Sequence, residues 1–206
     1  MEYYIYNCPL FVLNDPTSEE VNLPELAADI ENLLPPRLFT EIDVIYFGEF
    51  PTLNGKNAAY SNGAIYIDNS EPTNYDILEN VVHEIAHSLE PKYGSFIYDE
   101  NLKNEFLGKR KRLRSILEQN GFEIPEKFYL YTEYNRLFDE FLSETVGYPT
   151  LVSLTMGLFA SPYGATSLQE YYANGFEKYF LDSPQAVRKV SPVLYKKIEE
   201  IFNDEE

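Results

Sequence analysis

At 206 residues the chain has the size of one domain with a substantial core, and 44% hydrophobic residues with a mean hydropathy of −0.34 exclude a disordered chain. No apolar run approaches the length of a membrane span. Thirty-four acidic against 16 basic residues give a formal net charge of −18, which repels nucleic acid and anionic membrane and mildly favours basic peptides or proteins as partners. The single cysteine, Cys8, has no partner for an internal disulfide and reads as a buried or half-buried bystander. Residues 1–7 carry neither a basic nor an apolar signal region, so a cytoplasmic location is expected, unless a signal has been removed or secretion is signal-independent; a monomer is expected besides.

In chain order, residues 3–6 or 10–13 offer an outer strand, and residues 23–34 a short helix with Pro24 in its first turn, stopped by Pro35 and Pro36. Residues 42–47 are rich in β-branched and aromatic side chains and read as a strand. Residues 58–60 and 64–68 flank Ser61-Asn62-Gly63, a hairpin signal. A helix is expected from about Ser70, with Pro72 in its first turn. Ile77, Leu78, Val81, Val82, Ile85 and Leu89 form its core stripe, and Pro91 ends it. Further helices are expected over 102–120, 134–146, 167–181 and 193–202, with a break at Gly147-Tyr148-Pro149 and a short apolar run at 151–159. Lys109-Arg110-Lys111-Arg112, with Arg114, reads as a solvated helix face rather than a docking patch, since Glu105 lies one turn from Lys109. No repeat, low-complexity tract or long linker marks a second domain.

Both histidines of the chain fall in His83-Glu84-Ile85-Ala86-His87. Residues four apart share one face of a helix, so two imidazoles at this spacing can meet one zinc at about 2.0–2.1 Å. The intervening Glu84 is placed to act as general base. A catalytic zinc site takes three protein ligands, and no third histidine exists, so the third ligand is expected to be a carboxylate. Glu133, Asp139, Glu140, Glu144, Glu170 and Glu177 compete for that place. Spacing alone puts Glu170 only slightly ahead of Glu140 and Glu144. Ser167 and Glu170 fit a capping box, which would turn the glutamate back to the helix start. Thr166 and Gln169 fit the same box one residue earlier and would leave Glu170 to the metal.

The segment 161–176 resembles the third-ligand segment of the anthrax-lethal-factor-like zinc peptidases, which include the lethal factor catalytic domain and the small Pro-Pro endopeptidases of clostridia. The likeness lies in Tyr163-Gly164, seven residues before Glu170, and in Tyr171, Tyr172, Ala173 and Phe176 after it. Residues 64–68, followed by the histidine helix, are similar to the family's edge strand and active-site helix. The resemblance covers about residues 58–90 and 160–182. It implies an α+β, zincin-like fold: a small mixed twisted sheet over an active-site helix, then a mainly helical C-terminal half. It also implies zinc on His83, His87 and Glu170, Glu84 as general base, and Tyr163 as donor to the substrate carbonyl or oxyanion. The 82 residues between His87 and Glu170 exceed the family's separation, which suggests a single domain, 1–206, with a helical insertion at about 100–160. If the insertion lies elsewhere, Glu140 or Glu144 takes the ligand's place.

The expected activity is therefore zinc-dependent peptide hydrolysis, with a peptide or protein as substrate and residues 64–68 open to strand addition. A catalytically silent zincin-fold binding or regulatory protein is the alternative. A purely structural zinc would need a fourth protein ligand, and none is evident near the motif.

Overall fold

The computed structural model describes residues 1–203, and the chain divides into two compact units, Met1–Lys92 and Tyr93–Glu206. The protein is α+β, with a five-stranded mixed sheet and a helical majority. No described helix is long and apolar enough to cross a membrane.

The first unit holds β1 (Glu2–Ile5), β2 (Cys8–Val12), α1 (Leu23–Leu33), β3 (Val44–Gly48), β4 (Ala58–Ser61), β5 (Ala64–Asp68) and α2 (Asn74–Ser88). Both candidate N-terminal strands form, as an antiparallel pair. The strand order is β1-β2-β3-β5-β4, parallel at β2–β3 and β3–β5 and antiparallel at both ends. Period-two alternation divides the two faces. Leu10, Ile45, Phe47, Ile65 and Ile67 are buried, while Phe11, Tyr46 and Tyr66 stack across the other face with centroids 6.0 and 5.5 Å apart. Leu26 and Ile30 of α1 and Ile77, Val81 and Ile85 of α2 complete the core of this unit. Leu78, expected in the same stripe, is only half-buried.

The β4–β5 hairpin closes through Asn62 and Gly63, both at positive φ (48° and 81°), the geometry that suits a tight turn to right-twisted strands. This pairing corrects the expected edge. Residues 64–68 are enclosed between β3 and β4, so β4 is the edge strand and β5 has no edge free for strand addition. The start of α2 also differs. Thr73 is its N-cap and accepts from the backbone N–H of Asp76, so Pro72 lies outside the first turn. Pro91 does not simply end α2; the helix stops at Ser88, and Pro91 sits in the first turn of α3 (Glu90–Ile97).

The second unit continues with α4 (Glu100–Gln119), α5 (Arg136–Glu140), a wide π-helical turn over Phe141–Gly147, α6 (Tyr148–Leu154), α7 (Leu168–Leu181), α8 (Pro184–Val190) and α9 (Pro192–Phe202). The helix expected over 134–146 is thus half α and half π, and it breaks at Gly147 (φ 82°) as expected. Leu168, Tyr171, Tyr172, Ala173 and Phe176 of α7 are buried, whereas Tyr179 and Phe180 are half-buried. At Gly175 the helices touch: a Cβ there would lie 2.2 Å from Leu194 Cδ2 of α9. Glu105 of α4 ties both helices, accepting from the Tyr171 hydroxyl (2.9 Å) and from the otherwise orphaned N–H groups of Val193 and Leu194 (2.8 and 3.1 Å).

The basic run departs from the solvated face expected of it. Lys111 and Arg112 are exposed, but Lys109 and Arg110 are buried. Lys109 Nζ donates to the carbonyls of Leu158 and Val190 at 2.5 and 2.7 Å. The Arg110 guanidinium stacks 4.1 Å from the Phe138 ring centroid and donates to Tyr131 O. Burial holds the Lys109 ammonium down to a pKa of about 8, opposed by Glu105 and aided by Arg112.

Candidate metal centre

His83 and His87 lie one turn apart on α2, beside the stripe that buries Ile77, Val81 and Ile85. Their Nε2 atoms converge to 3.2 Å. Two nitrogens bound tetrahedrally to one zinc at about 2.0–2.1 Å stand about 3.3 Å apart, so the pair fits one ion. His87 Nδ1 meets Glu90 Oε1 at 2.7 Å. A carboxylate accepts only, so Nδ1 carries the proton and Nε2 presents its lone pair towards His83. Glu90 escaped notice in the sequence, although its position three residues after His87 puts it one turn further along the chain.

Glu84 is 9% exposed, and its Oε2 accepts from the Tyr60 backbone N–H at 2.7 Å. Asp68 N–H donates to Asn57 O, so Asn57, Ala59 and Ser61 turn their backbone groups to β5, while Ala58 and Tyr60 face the open side. An edge N–H of the sheet is therefore spent on fixing Glu84.

In the second unit, the 3-10 turn Tyr163–Ala165 leads into α7, and Glu170 stands in the helix's first turn. Ser167 is the N-cap, in extended conformation (φ −153°, ψ 168°), and its Oγ accepts from the Glu170 N–H at 3.1 Å. Thr166, the alternative cap, has helical φ/ψ and donates its hydroxyl to Tyr163 O, so it cannot serve. The cap bond draws on the backbone of Glu170, not its carboxylate. Of the competing carboxylates, Glu140 pairs with Arg136 at 2.6 Å, and Glu144 is exposed.

No family model, curated protein or solved structure matches the chain.

Tyr163 is half-buried, and among the described residues its hydroxyl makes no hydrogen bond. Burial, then Glu170, Asp139, Tyr134 and Tyr148, raise its pKa well above the ordinary phenol value, so it stays a proton donor at neutral pH. Tyr148 and Asp139 are thereby drawn into the same neighbourhood. Tyr148 could not be picked out from 18 tyrosines by sequence. Cys8 is buried, its thiol pushed up to about 11 by burial and by Asp43, which disqualifies it as a nucleophile.

Proposed function

We propose that the protein is a zinc-dependent metalloendopeptidase of the lethal-factor-like, zincin type, with His83, His87 and Glu170 as ligands, Glu84 as general base and Tyr163 as oxyanion donor. The observation that carries this reading is the convergence of the two Nε2 atoms at 3.2 Å on a helix whose next residue, Glu84, is a buried carboxylate anchored by backbone. The donor set of two imidazoles and one carboxylate is that of a catalytic zinc with an open position. Zinc bound there supplies Lewis-acid polarisation of a carbonyl and acidification of water.

The remaining steps belong to the chain. Glu84 uses Oε2 to hold Tyr60 N–H and keeps Oε1 to take the proton of the attacking water and deliver it to the leaving amine. Tyr163, protonated and uncommitted, donates to the oxygen of the carbonyl as charge develops, a contact worth about 2.7–4 kcal/mol when well placed. An extended peptide joins the sheet along β4, not along residues 64–68. The substrate is a peptide or protein, and the net charge of −18 disfavours nucleic acid and anionic membrane as partners. We place the protein in the cytoplasm as a monomer.

Metal analysis combined with peptide-library cleavage tests the reading. One zinc per chain is expected in the wild type and in Glu84→Gln, with cleavage by the wild type alone. Wild-type protein that holds zinc yet cleaves nothing overturns it in favour of a silent binding protein.

A further inference from the structure

Around Asp139 lies a second arrangement of phenols that the mechanism above does not use. Asp139, on α5, accepts from two tyrosine hydroxyls. Tyr134 reaches its Oδ2 at 2.7 Å and Tyr148 its Oδ1 at 3.3 Å. The π-helical turn Phe141–Gly147 separates Asp139 from Tyr148, and Gly147 at φ 82° lets α6 restart with Tyr148 as its first residue. Wide turns of this kind re-aim side chains and recur at functional sites. The segment is fixed to α7 by its backbone, because Leu168 N–H donates to Thr132 O at 2.7 Å, two residues before both Tyr134 and Glu170. Tyr148 and Tyr163 each lie close enough to Glu170 for its charge to bear on them.

The two phenols differ in what their oxygen can do. Tyr163 keeps its proton available. Tyr148 donates its hydroxyl hydrogen to Asp139, so its oxygen offers only lone pairs to a further partner. An extended peptide presents carbonyls, which need a donor, and amide N–H groups, which need an acceptor. We propose that Tyr148 is a substrate-binding residue that accepts an amide N–H of the peptide, and that Asp139 is the positioning residue that fixes its hydroxyl as an acceptor. The proposal rests on the peptidase reading for its substrate class but not on turnover.

Affinity measured without cleavage tests it. The tightest-bound member of a decapeptide library is titrated calorimetrically into the full-length Glu84→Gln protein, and again with Tyr148→Phe, Asp139→Asn or Tyr134→Phe added. A series of the same peptide N-methylated at one amide at a time is titrated in parallel. Zinc content and melting temperature serve as controls for folding. Tyr148→Phe is expected to weaken binding about 3- to 10-fold, the range of one net hydrogen bond. Asp139→Asn should match it without adding to it, and Tyr134→Phe should change affinity less than about 2-fold. One N-methyl position should lose the same factor on the Tyr148 protein and nothing further on Tyr148→Phe. In wild-type kinetics the loss should fall on KM with kcat kept. Unchanged affinity in Tyr148→Phe, or a loss shared equally by every N-methylated peptide on both proteins, overturns the proposal while wild-type cleavage leaves the peptidase reading standing. Tyr148-dependent binding with no cleavage overturns the peptidase reading alone. Absence of all peptide binding overturns both.

Discussion

The two units use charge in opposite ways. Met1–Lys92 carries 16 acidic and 3 basic residues, and its buried polar and charged groups, Glu71, Glu84 and Ser88, include the proposed base. The rest of the chain carries 18 acidic and 13 basic residues, and it buries Lys109, Arg110 and Lys197. Lys109 and Arg110 bond to backbone carbonyls, and Lys197 pairs with Asp99 at 2.9 Å. In the sheet unit the proposed base is one of two buried carboxylates; in the helical unit buried cations fasten helices and loops. A buried charge is thus a functional signal only after its partners are known.

The largest effect that sharpens this contrast is at Glu84. Glu84→Gln keeps the shape and the Tyr60 contact but removes the base, so kcat should fall about 10²- to 10⁴-fold with zinc retained, as steady-state kinetics and metal analysis will show. Next comes Glu90. Glu90→Ala should weaken zinc binding about 10- to 100-fold in a competitive titration, since the Glu90 side chain sets the His87 tautomer. Unchanged affinity would reduce Glu90 to a surface partner. In the helical unit, Gly175→Ala drives a methyl into Leu194 and should cost about 1–2 kcal/mol by denaturant melts, after the gain in helix propensity is set against the overpacking.

The smallest effect concerns Lys109. Its folded pKa of about 8 lies below the unfolded value near 10.5, so the unfolded chain holds more protons between those limits. The Lys109 contribution to stability therefore rises as pH climbs from about 8 towards 10.5. A Lys109→Met protein should lack that rise when the two are melted at pH 7.5 and 9.5. Parallel pH curves for both proteins would remove Lys109 as a buried cation.

What was legible in the sequence follows from the range of the interactions. The histidine pair, the α2 stripe and the β4–β5 hairpin depend on neighbours within one or two turns, so spacing predicts them. The edge strand was misplaced because strand order depends on pairings between residues as distant as 45 and 65. Pro72 pointed to an early helix start, but Thr73 supplied the better cap. The burial of Lys109 and Arg110 depends on the carbonyls of Leu158, Val190 and Tyr131, which no local pattern reveals. Glu170 was favoured by resemblance more than by spacing, and Tyr148 needed the π turn to bring it to Asp139.

The central proposal is that Glu170 completes a zinc ligand set begun by His83 and His87. Competitive zinc titration of the wild type, Glu170→Gln, Glu140→Gln and Glu144→Gln tests it most directly. The account predicts one zinc per wild-type chain, an affinity loss of at least about 10-fold in Glu170→Gln, and wild-type affinity in the other two. Wild-type affinity in Glu170→Gln, or a loss confined to Glu140→Gln or Glu144→Gln, would contradict it.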